Sequence, residues 1–79
     1  MPTRRLSIEQ ALGEAIRARR EALHLSQEDL AFECGLHRTY ISQLERGLKS
    51  PTVRVLCAIA QALNVEPDEL LRSAREGAK

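Results

Sequence analysis

"SQEDLAFECGLHRTYISQLERG", residues 26–47, carries two short helical patterns parted by a glycine. Ser26 reads as an N-cap, with Glu28 and Asp29 in the first turn, where carboxylates suit the positive end of the helix dipole. Leu30, Ala31 and Cys34 make the inner side of that helix, and Gly35 stops it. A second pattern runs from about Arg38 to Arg46 and closes at Gly47, a residue suited to a left-handed C-cap. At about 100° per residue, Arg38, Ser42 and Arg46 form one row with Thr39 and Gln43 beside it, while Ile41 and Leu44 face the opposite way. Two short helices joined by a tight glycine turn cross steeply. The plain alternative is a helical corner that serves the core alone.

The flanks extend the same pattern. Ser7 with Gln10 forms a capping-box signature that predicts a helix over about residues 8–23, with Ile8, Leu12, Ala15, Ile16 and Leu23 at helical spacing. Thr52 can cap a fourth helix, "VRVLCAIAQALN", in which Val53, Leu56, Cys57, Ala60 and Leu63 share a face. Pro67 suits the first position of a short fifth helix, "PDELLRS". No alternating apolar run of strand length occurs. The expectation is an all-α, compact five-helix bundle over residues 7–73, with a flexible leader at 1–6 and a flexible tail at 74–79.

Composition agrees. A chain of 79 residues makes one small domain, and with no Trp, one Phe and one Tyr its core rests on Leu, Ile, Val and Ala. No run reaches transmembrane length, and "MPTRRL" lacks the apolar stretch of a secretory signal, so a soluble cytoplasmic protein is expected. Cys34 and Cys57 form neither a C-x-x-C pair nor a zinc pattern and read as buried thiols. No metal or cofactor is expected. The net charge is +1, but between Gly35 and Arg54 the cations Arg38, Arg46, Lys49 and Arg54 face Glu45 alone. That cluster and the acid-poor outer row of the third helix suit a polyanion. Arg can donate two hydrogen bonds to a guanine edge, Gln can pair with adenine, and Ser or Thr can bond a base or a phosphate.

These residues resemble the helix-turn-helix DNA-binding domain of the Xre, or Cro/C1, type. The likeness covers about residues 9–71, with Arg20, Gln27, Leu30, Ala31, Gly35, Ile41, Glu45, Gly47, Pro51, Leu56, Ala60 and Leu63 standing in order. The run "RTYIS" is also seen in small controller proteins of restriction–modification systems. The resemblance implies a lambda-repressor-like fold whose third helix enters the major groove, with Arg38, Thr39, Ser42 and Gln43 reaching base edges. It implies that Gln27 meets a phosphate, where the start of the second helix also favours an anion, and that Arg46 and Lys49 grip the backbone. Tyr40 sits at the flank, nearer backbone than bases. His37 stands where the family usually has a capping Ser or Thr, and it either meets a phosphate when protonated or is a neutral surface histidine. The resemblance also pairs Arg20 with Glu45, and it puts Arg19 where relatives carry an apolar residue, its head snorkelling to water. Arg4 and Arg5 could form a basic arm or simply belong to the leader.

One recognition helix reads few base pairs, so a homodimer on a pseudo-palindromic operator is expected, with Val55, Ile59, Leu70 and Leu71 as candidate contacts unless they complete the monomer core. The alternative function is an antitoxin-like interaction protein that binds DNA as an adjunct, although about eight residues remain after Leu71 to hold a toxin. An enzyme is not expected: His24 and His37 lack paired inward acids or a phosphate-binding glycine loop. No small-molecule ligand and no membrane partner are expected.

Overall fold

The computed structural model describes residues 5–78. Among them are five helices and no strand: α1 (Ile8–Ala22), α2 (Gln27–Cys34), α3 (Arg38–Glu45), α4 (Val53–Ala62) and α5 (Pro67–Gly77). Side chains start three of them. Ser7 and Gln10 close a reciprocal capping box on α1: the Ser7 amide donates to Gln10 Oε1 at 2.9 Å and the Gln10 amide to Ser7 Oγ at 3.0 Å. Ser26 and Asp29 do the same on α2, both at 2.9 Å. The Ser26 amide, and then its hydroxyl, hold the Asp29 carboxyl below its ordinary pKa. Thr52 Oγ1 accepts from the Val55 amide at 3.2 Å to start α4.

Four helices stop in the same way. A residue with positive φ reverses the chain, and the next amide donates to the carbonyl five residues back. Leu25 reaches Arg20, Leu36 reaches Ala31, Leu48 reaches Gln43 and Val65 reaches Ala60, at 2.9–3.1 Å. Gly35 and Gly47 supply the reversal after α2 and α3, while His24 and Asn64 supply it after α1 and α4. Asn and His are among the side chains that tolerate this region best.

The helices pack α1 along α5 and across α3, with α2 against α3 and α4, and α4 against α5. Ile16, Leu30, Ile41, Leu44, Ile59 and Leu63 are the large side chains wholly inside. The α1–α3 crossing is close because Gly13 has no side chain: an added Cβ would collide with the carbonyl oxygens of Leu44 and Glu45.

Several expectations need correction. The fifth helix does not stop at Ser73 but continues to Gly77, and Ala74 is completely buried, so residues 74–77 are structure rather than tail. Leu6 packs against the core, which shortens the expected leader, while Arg4 and residues 1–3 lie outside the described residues. On α4 the buried stripe is Leu56, Ile59, Ala60 and Leu63; Val53, 79% exposed, and Cys57 face outward. Cys34 is half-buried, its Sγ donating to the Ala58 carbonyl at 3.7 Å. Ile8 and Leu23, expected on the apolar side of α1, are exposed near its two ends.

Candidate nucleic-acid interface

Helix α3 is held from behind and free in front. Ile41 and Leu44 seat its inner side in the core, whereas Arg38 and Thr39 are exposed and Ser42 and Gln43 half-buried. The side-chain hydrogen bonds found among the described residues leave all four of these side chains uncommitted. His37 is the N-cap of α3 but makes no side-chain cap bond, so the amides of Arg38 and Thr39 keep their donors, while that of Tyr40 donates to the His37 carbonyl at 3.0 Å. Tyr40 is half-buried and leans on the core at the edge of the row. Arg46 is exposed and folds back so that its Nε donates to the Ser42 carbonyl at 3.4 Å, and Lys49 is exposed in the loop beyond.

The acid of α3 is taken out of this surface. Glu45 is buried, 7% exposed, opposite Arg20, 9% exposed. Arg20 Nε donates to Glu45 Oε2 at 2.6 Å and Nη2 to Oε1 at 3.0 Å, a two-bond fork, while Nη1 donates to the Leu25 carbonyl at 2.8 Å. The hydrogen bond to Glu45 raises the Arg20 pKa against the opposing effect of burial. A carboxylate held this way projects little negative charge toward the outer row, so the cations at Arg38, Arg46 and Lys49 go unopposed there.

Gln27, the first residue of α2, is half-buried, and its Nε2 donates to Glu45 Oε1 at 3.1 Å. One buried carboxylate therefore ties together α1, α2 and α3. The sequence carries no local signal for this third bond, because the partners lie 18 positions apart. Arg19 does not send its head to open water. Its Nε donates to the Leu63 carbonyl at 3.0 Å and its Nη2 to that of Asn64 at 3.5 Å, capping the end of α4.

The residues first considered for a dimer contact divide. Ile59 is completely buried and Leu70 nearly so, which removes both from any surface; they face inward at core spacing on α4 and α5. Val55 is half-buried against the core, and Leu71 is 48% exposed. Sequence reasoning missed Ile8, Val53 and Pro51, which with Leu71 line a shallow apolar hollow of about 210 Å³ floored by Leu12 and Leu56.

Two short helices set at a glycine turn, the second with an uncommitted polar face and an acid buried behind it, define a helix-turn-helix reading head. The chain belongs to the helix-turn-helix family of Xre/Cro–C1 type, a class of DNA-binding transcriptional regulators, whose family model matches residues 16–70. It is similar to control protein C.BamHI of Bacillus amyloliquefaciens, 52% identical over 48 residues that make up 61% of this chain and 59% of that one. It is also similar to control protein C.SmaI of Serratia marcescens, 42% identical over 74 residues, or 94% of this chain and 86% of that protein. Among solved structures, the restriction–modification controller protein C.AhdI of Aeromonas hydrophila superposes with a TM-score of 0.76 at 41% identity, over 77% of this chain and 92% of the other. No helix among the described residues is long and apolar enough to cross a membrane.

Proposed function

We propose that this protein is a sequence-specific regulator that binds a pseudo-palindromic operator as a homodimer in the cytoplasm and controls the genes of a restriction–modification system. Its role is binding rather than catalysis. The observation that carries this reading is the outer row of α3, which is cationic, rich in hydrogen-bond donors and, apart from the Arg46 Nε bond to the Ser42 carbonyl, uncommitted within the protein. With α3 in the major groove, Arg38, Thr39, Ser42 and Gln43 read base edges. Gln27, His37, Tyr40, Arg46 and Lys49 meet the sugar–phosphate backbone and set the register. Two copies, reading half-sites about 34 Å apart, add their specificities. The exposed apolar side chains Ile8, Val53 and Leu71 supply surface for the second copy, in place of Ile59 and Leu70. The controller role rests on similarity to the control proteins named above.

Gel shifts across a salt series test the reading. Arg46→Ala weakens binding to every duplex and lowers the salt slope by about one. Arg38→Ala costs about 1–3 kcal/mol at one base pair and relaxes choice there. Equal losses on selected and random DNA for both variants would overturn the assignment. Adjacent genes for a nuclease and a methyltransferase support the controller role, and their absence counts against it.

A further inference from the structure

The buried carboxylate of Glu45 does more than balance Arg20. Its Oε1 accepts from Arg20 Nη2 and also from Gln27 Nε2, at 3.0 and 3.1 Å. A carboxylate forked to a guanidinium has no proton to give, so it can only accept; the group that faces it has to be the amide nitrogen of Gln27 and not its oxygen. That single bond settles which way round the amide lies. One Nε2 hydrogen is committed inward, leaving the second hydrogen and the carbonyl oxygen available to a ligand.

The position of Gln27 gives this orientation a use. It is the first residue of α2, just past the Ser26 cap. The reciprocal box there engages the amides of Ser26 and Asp29. The backbone donors of Gln27 and Glu28 stay uncommitted at the positive end of the helix. An oriented side-chain amide stands beside them. A phosphodiester arriving there meets a donor already in place, without first having to freeze a long flexible side chain.

We propose that Glu45 is a positioning residue for duplex binding: through its bond to Nε2 it fixes the Gln27 amide in the orientation that meets a phosphate at the start of α2. This rests on the regulatory reading above. It adds that the ion pair joining α1 to α3 also sets a contact on α2. Because Gln27 is neutral, its contact contributes affinity without counterion release, unlike Arg46 or Lys49.

Two measurements test it. In the free wild-type protein, NMR should find one Gln27 Nε2 hydrogen exchanging with water more slowly than those of exposed Gln61. Exchange as fast as that of Gln61 would overturn the proposal without any variant being made. The second is a binding cycle with Gln27→Ala, Glu45→Asp and the double variant, on a duplex selected from a random pool by the wild-type protein. Glu45→Asp draws the carboxylate back from Arg20 and Gln27 alike by one methylene, and the double variant separates the two effects, because a loss that runs through Arg20 alone adds to that of Gln27→Ala. Circular dichroism checks that each variant is fully folded at the binding temperature. Glu45→Asp and Gln27→Ala should each bind about three- to tenfold more weakly with an unchanged salt slope, and the double variant no more weakly than Gln27→Ala. Wild-type affinity in folded Glu45→Asp, or additive losses in the double variant, would overturn the positioning role and leave the regulatory reading standing. If the wild-type protein prefers no duplex over random DNA, both fall together.

Discussion

Replacing Glu45 by Ala removes the carboxylate but leaves Arg20 charged and enclosed. Of the three partners that now satisfy its guanidinium, the Leu25 carbonyl at 2.8 Å alone survives. Breaking one side of a buried pair typically costs about 3–5 kcal/mol. At about 0.05–0.15 kcal/mol per residue, a chain of this length has roughly 4–12 kcal/mol in all. The substitution thus removes a large share of the total and unfolds a protein at the lower end of that range. With a urea slope of about 1 kcal/mol per molar, the midpoint falls by about 3 M or more. The thermal midpoint falls by at least about 12 °C. Far-ultraviolet circular dichroism is the suitable probe, because the chain has no Trp and one Tyr. Arg20→Met with Glu45→Leu should recover much of the loss, since it leaves no charge behind. The pH dependence has a definite sign. The Arg20 pKa is raised in the folded state, so the stabilisation is complete below the unfolded value and fades only as pH climbs through the still higher folded one. The Arg20 contribution is therefore flat from neutral to moderately alkaline pH. A midpoint shift under about 1 M for Glu45→Ala, or a double variant no better than the single one, would refute the reasoning.

Three further outcomes follow from the packing. Gly13→Ala should destabilise by about 1–3 kcal/mol, because its Cβ meets the rigid carbonyls of Leu44 and Glu45; a melting temperature at or above wild type would show that the α1–α3 crossing is looser. Leu71→Glu should sediment as a folded monomer and lose tight operator binding, whereas Ile59→Glu should unfold, since Ile59 is core; an unchanged dimer in Leu71→Glu would move the interface elsewhere. Iodoacetamide should label Cys57 before Cys34, because burial and then nearby Glu33 raise the Cys34 pKa and the thiolate is the nucleophile; equal rates by mass spectrometry would contradict the burial described.

Local chemistry made most of the helix boundaries readable. Ser7, Ser26 and Thr52 announce helix starts because a hydroxyl must answer a free amide there, and Gly35 and Gly47 announce stops because the reversal needs positive φ. The outer row of α3 was readable for a similar reason, since its spacing separates Ile41 and Leu44 from Arg38, Thr39, Ser42 and Gln43. What hid was decided between elements. The last turns of α5 are built on Ala74 and Gly77, small residues whose hydropathy says little but whose size lets α5 lie close on α1; an added Cβ at Gly77 would come within 3.2 Å of Ala11. The buried face of α4 lies one step from the one its sequence suggests: Val53 and Cys57 are apolar yet exposed, while Ile59 is buried on a helix that packs against α2 and α5. The Gln27–Glu45 bond was hidden because a spacing of 18 residues encodes no geometry until the helices are packed.

The glycine seat beneath α3 has an evolutionary corollary. With α1 backbone resting directly on the carbonyls that finish α3, the tilt of that rod belongs to the framework, not to the letters along its outer edge. On the proposed assignment of Arg38, Thr39, Ser42 and Gln43 to base edges, exchanging any of them redirects the protein to a new DNA address while the mount stays as it was. A lineage carrying this fold can therefore diverge in target one side chain at a time.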